Sequence, residues 1–96
     1  MNLQELLVEK RAAILETAAR HGARNVRVFG SVARGEADDK SDVDFLVKLD
    51  PERSLIDLNG LAIDIEKLLG RGVDVVSEAG LRPRMRDRVL GEAKPL

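Results

Sequence analysis

From Asp42 to Lys48 the residues Val43, Phe45 and Val47 alternate with Asp42, Asp44 and Leu46. A two-residue period belongs to a strand with one face buried, so this segment lies in a sheet and turns Asp42 and Asp44 out of the core together. Their side chains leave that face roughly 6.5–7 Å apart along the chain. Paired carboxylates with no cation beside them repel each other unless they are solvated or share a divalent ion. Oxygen-only ligands suit Mg²⁺ or Mn²⁺. Taken alone, Asp-x-Asp is also common at solvated strand edges.

The rest of the chain supplies a small number of elements around that strand. Leu3, Leu6, Leu7, Ile14 and Ala18 recur near helical spacing, and Gly22 stops the first helix. Asn25 to Phe29 reads as a strand, with Val26 and Val28 on one face. Asp50-Pro51 closes the Asp42 strand. A helix from Arg53 to Leu69 follows, with Leu55, Leu58, Leu61, Ala62, Ile65, Leu68 and Leu69 on one apolar face. Gly70 and Gly72 end it. Val73 to Val76 is a third strand, and Pro83 opens a last helix carrying Met85, Val89 and Leu90. With a short helix after Gly30, the order is α-β-α-β-α-β-α. This predicts one α+β domain over residues 1–96, a two-layer fold whose sheet of about three strands has helices on one face.

Several function classes drop out on composition. The 96 residues include no cysteine, which removes thiolate catalysis and thiolate zinc sites. Seventeen acidic against sixteen basic residues give a net charge of −1, so no bulk field draws the chain onto nucleic acid. The two aromatic residues, Phe29 and Phe45, lie in apolar segments and are expected in the core. Glu5 and Glu9 interrupt the N-terminal leucines, so neither a signal peptide nor a membrane span is read there, and a cytoplasmic location is the default.

Gly30-Ser31 follows the first strand directly, with Ala33-Arg34-Gly35 next. Glycine lets the backbone approach a ligand, and the N–H groups opening a short helix suit phosphate. Ser31 adds a hydroxyl; an N-cap at an ordinary strand-to-helix turn explains it equally well. Arg34 can reach a phosphate or stay solvated.

Together these residues, GSVARGEADDKSDVDFLV, resemble the signature of the DNA polymerase β-like nucleotidyltransferases, in which Gly-Ser is followed about ten residues later by Asp-x-Asp on the next strand. The closest likeness is to the minimal nucleotidyltransferases that act as antitoxins to HEPN-domain toxins, given the short chain, GRGVDVV, Leu81-x-Pro83 and Glu92-Ala93. The resemblance implies a third carboxylate on a later strand, which only Asp74 matches. Alternation turns Val73 and Val75 to the core and Asp74 to the other face, where Asp42 and Asp44 also lie if the strands pair in register. Asp57 and Asp64 fall on the polar side of a helix and read as solvated. The resemblance further implies two Mg²⁺ ions on Asp42, Asp44 and Asp74, phosphate contacts from Gly30, Ser31 and Arg34, and transfer of AMP from ATP to a tyrosine of the toxin. A chain without tyrosine cannot be its own acceptor. Neutralisation by binding alone and nucleotidyl transfer to a small molecule remain as alternatives.

Four features carry less. Arg82, Arg84, Arg86 and Arg88 step by 200° and so split between opposite helix faces, which is no phosphate stripe. His21 suits a helix C-terminus. The acidic loop of Glu36, Asp38 and Asp39 reads as solvated. Ile56 and Ile63 lie off the main apolar face and fit an exposed contact with a protein partner.

Overall fold

The structure is a computed structural model that describes residues 2–38 and 40–96; Met1 and Asp39, one acid of the loop before the Asp pair, lie outside the described residues. Helix α1 (Leu3–Arg20) starts where the Asn2 side chain accepts the Glu5 N–H at 2.8 Å, and His21 is its C-cap. It leads into strand β1 (Ala23–Phe29), which is two residues longer than the alternation suggested. A break in register between Arg24 and Arg27, with Asn25 at φ 52°, hides that extension from a simple period of two.

Strand β2 (Val43–Leu49) and helix α2 (Leu55–Leu69) follow, then strand β3 (Val73–Ser77), a 3₁₀ turn (Glu78–Gly80), helix α3 (Pro83–Glu92) and a two-residue strand β4 (Lys94–Pro95). The sheet therefore has four strands, in the order β3-β2-β1-β4. β4 carries too few residues for any periodic signal and contains a proline, which restricts it to an edge. β1 pairs antiparallel with both β2 and β4, while β2 and β3 are parallel and joined by α2 as the crossover.

Three local expectations change. Residues 31–35 form hydrogen-bonded turns, with the Arg34 N–H on the Gly30 carbonyl at 3.1 Å and the Glu36 N–H on the Ser31 carbonyl at 2.8 Å, so no helix follows Gly30. Asp57 is a capping residue: its carboxylate accepts the Ser54 N–H at 2.9 Å, closing a capping box that starts α2. Leu55, in the first turn, is exposed instead of joining the buried face of Leu58, Leu61, Ile65 and Leu69.

α1 and α2 cover one side of the sheet. Val26 and Val28 of β1 and Val43, Phe45 and Val47 of β2 meet Leu7, Ile14, Leu61 and Ile65 there. Leu46 points the other way, yet it is fully buried, as is Val89 on α3, because the 3₁₀ turn and α3 border that second side. The Arg27–Glu78 ion pair ties the 3₁₀ turn to β1. Among the described residues no helix is long and apolar enough to cross a membrane.

Candidate active site

The second side of the sheet holds the carboxylates. In the β1–β2 ladder Phe29 faces Asp44, and in the β2–β3 ladder Asp44 faces Asp74, so these three side chains form one row across three strands. Directly opposed residues project to the same face. Asp42 stands one residue before β2 begins and two before Asp44, which keeps it on that face at the strand's entrance. The sequence thus located both members of the pair, and the parallel register adds Asp74.

Two glycines make room for this arrangement. Gly30 has φ 71°, a left-handed conformation that disfavours side chains, and a Cβ there would collide with the Asp44 carboxylate. A Cβ on Gly72 would likewise collide with the Asp42 carboxylate. Arg71 steadies the same corner by donating to the carbonyls of Asp38 and Ser41, each at 3.2 Å.

A cavity of about 780 Å³ opens over the row. Gly30, Ser31, Arg34, Asp44 and Asp74 line one wall; Leu81, Arg82, Met85, Arg88 and Glu92 line the other. Phe29 is a half-buried lining residue here, not core, whereas Phe45 is completely buried. The β1 alternation that buries Val28 necessarily turns Phe29 to the carboxylate side. Asp57 and Asp64 stay away from the cavity; Asp64 instead hydrogen-bonds His21 at 2.8 Å, linking the end of α1 to α2.

Glu92, which the sequence marked only as part of the Glu92-Ala93 likeness and gave no role, is a site residue. Its carboxylate accepts the Gly30 N–H at 3.1 Å and the Arg34 guanidinium at 2.6 Å, while Arg34 also donates to Glu36 at 2.7 Å. The Arg34 hydrogen bond, with help from the Gly30 N–H, holds the Glu92 carboxyl below the usual carboxylate range. No periodic pattern links Glu92 to Gly30 across 62 residues of sequence.

Burial pushes the Asp44 carboxyl up, and the negative charges of Asp74, Asp42 and Glu92 push it further, against a smaller opposing pull from Arg34. Among the described residues, no three acidic or histidine side chains stand close enough in the conformations seen to hold a metal ion. The donor set nevertheless fits a hard divalent cation: three carboxylates share one sheet face, with mutual repulsion that such an ion relieves and space secured by Gly30 and Gly72.

This fold, with carboxylates aligned beside a strand-ending Gly-Ser turn, defines an enzyme of the nucleotidyltransferase class. The chain belongs to the family described as the Nucleotidyltransferase domain, whose pattern matches residues 11–96. It is similar to a chain of Methanocaldococcus jannaschii assigned as a protein adenylyltransferase, at 37% identity over 97% of this chain and 96% of that one. It is also similar to the protein adenylyltransferase MntA of Thermococcus cleftensis, at 42% identity over 80% of this chain and 78% of that one. A solved structure assigned as a minimal nucleotidyltransferase superposes with a TM-score of 0.88 at 55% identity, covering 100% of this chain and 97% of the other. A toxin–antitoxin structure with AMP-PNP shares the fold, with a TM-score of 0.76 at 21% identity over 88% of this chain and 69% of that one.

Proposed function

We propose that the protein transfers AMP from ATP to a hydroxyl of a partner protein, a tyrosine of a HEPN-domain toxin, and thereby acts as an antitoxin in the cytoplasm. The observation that carries this reading is the Asp44–Asp74 register beside Gly30-Ser31, in a chain whose relatives are named for protein adenylyl transfer.

Asp42, Asp44 and Asp74 would hold two Mg²⁺ ions, with Mn²⁺ as the alternative. Ions held by these carboxylates would supply neutralisation of triphosphate charge and a lowered pKa of the acceptor hydroxyl. Gly30, Ser31 and Arg34 bind phosphate: the Gly30 N–H and the Arg34 guanidinium already hold an anion, the Glu92 carboxylate, which the nucleotide replaces. The acceptor oxygen bonds to the α-phosphorus, the bond from that phosphorus to the bridging oxygen breaks, and pyrophosphate leaves with the electron pair. Asp74, exposed at the cavity wall, takes the hydroxyl proton. The partner brings the acceptor hydroxyl to the mouth of the cavity, where the 3₁₀ turn and α3 form the wall facing the carboxylates. Exposed Leu55, Ile56 and Ile63 on α2 offer that partner an apolar contact.

Incubating the neighbouring gene product with the protein, Mg²⁺ and ATP tests this by intact-mass spectrometry. The partner should gain the mass of AMP, and Asp42→Ala with Asp44→Ala should abolish the gain. Neutralisation of the toxin that survives the double substitution, with no mass gain in the wild type, would establish action by binding alone.

A further inference from the structure

The helix α3 wall of the cavity holds two cations that the phosphate contacts above do not use. At 100° per residue, Arg82, Met85, Arg88, Val89 and Glu92 fall within a sector of about 120°. Val89 is fully buried and Glu92 reaches Gly30, so that sector faces the sheet, and Arg82, Met85 and Arg88 line the cavity. The step of two between neighbouring arginines concealed this. Arg82 and Arg88 are six apart, with Met85 midway, and that interval spans one side of a helix.

Arg24, Arg27, Arg34 and Arg53 each have a carboxylate partner. Among the described residues Arg82 and Arg88 have none, although Arg88 is one turn from Glu92. The opposite wall is dominated by Asp44 and Asp74, which cannot bind an anion directly, and Arg34 is divided between Glu36 and Glu92. A polyphosphate entering this cavity therefore meets its unshared positive charge on α3. A guanidinium matches phosphate oxygens in a planar fork and is readily desolvated.

We propose that Arg88 binds the β- and γ-phosphates of the nucleoside triphosphate, and that Arg82 with Met85 forms the wall on which the nucleoside rests. Arg88 lies beside Glu92 and hence beside the Gly30 turn, where the phosphates go. Arg82, about 9 Å farther along the helix axis, can stack its guanidinium on a base, and the Met85 thioether adds an apolar contact. This assignment rests on the nucleotidyl-transfer reading.

Calorimetric titration of the wild type and of Arg88→Gln, Arg82→Gln and Arg84→Gln with ATP and with AMP, in Mg²⁺ buffer, tests it. Arg84 does not line the cavity and serves as the charge control. Arg88→Gln should weaken ATP binding roughly tenfold or more and AMP binding less than about twofold, the loss expected for a charge-assisted phosphate contact. Arg82→Gln should weaken both ligands alike. Equal ATP affinity for Arg88→Gln and Arg84→Gln, with unchanged melting temperatures, overturns the Arg88 assignment while leaving nucleotidyl transfer intact. A wild type that binds no triphosphate overturns both.

Discussion

Asp44 and Asp74 stand directly opposite each other across the parallel β2–β3 ladder, one half-buried and the other exposed. Burial and like charge both raise the Asp44 pKa, so the folded protein disfavours its ionised form. A raised carboxyl pKa gives a penalty that is absent below the unfolded value of roughly 3.9, grows as pH rises to the folded value, and is complete above it. Asp44→Asn should therefore stabilise the metal-free protein at neutral pH and lose that advantage in acid. Thermal melts across pH check the sign, and a carboxyl NMR titration of Asp74→Asn should show the Asp44 midpoint moving down.

Removing divalent cations should arrest transfer without unfolding the chain, because the core lies on the other side of the sheet from the carboxylates. Chelator should abolish the partner's mass gain, and added Mg²⁺ or Mn²⁺ should restore it. Asp74→Asn should slow transfer at least about a hundredfold, since ligand and proton acceptor are lost together. Single-turnover rates at saturating ATP measure this directly, and a rate within a few-fold of wild type would remove Asp74 from the site.

Gly30→Ala combines a left-handed backbone with a collision against the Asp44 carboxylate. The expected loss is on the order of 1–3 kcal/mol of stability, measured by urea denaturation, together with weaker ATP binding. Gly35→Ala is the informative comparison: its φ is also positive, at 73°, but nothing lies near its added methyl. It should cost stability while leaving ATP affinity unchanged.

Glu92→Gln should act in opposite directions on stability and on nucleotide affinity. The carboxylate joins α3 to the Gly30 turn and neutralises Arg34, so its replacement should lower the melting temperature of the free protein by a few degrees. It also occupies donors the triphosphate needs, so ATP should bind more tightly. Parallel melts and ATP titrations report the two effects separately; weaker ATP binding would show that Glu92 supports the turn and does not compete for it.

How far the sequence reached depended on how local each pattern was. The period of two in β2 placed Asp42 and Asp44 on the side away from the core, and the helical period marked α1 and α2 with ends accurate to about two residues. β4 was illegible because Lys94–Pro95 exists only by pairing with Arg27 and Val28. The arginines of α3 split between faces as their step of two implies, but only the packing of α3 on the sheet decides that Arg82 and Arg88 are the two that line the cavity. Asp57 is the exception, since Ser54-x-x-Asp57 is a local capping-box pattern that the sequence does carry at the start of α2.

The sequence by itself determined three helices and three strands, the core side of β2, and a carboxylate pair one strand beyond a Gly-Ser turn, since these follow from side-chain periods and local backbone preference. Only the tertiary structure decided that β2 and β3 pair with Asp44 opposite Asp74, that a short helix is replaced by turns after Gly30, and that α3 closes the cavity with Glu92 and two arginines. Those are contacts between residues distant along the chain. Their register is set by packing of the whole sheet against α1 and α2, which no short-range pattern encodes.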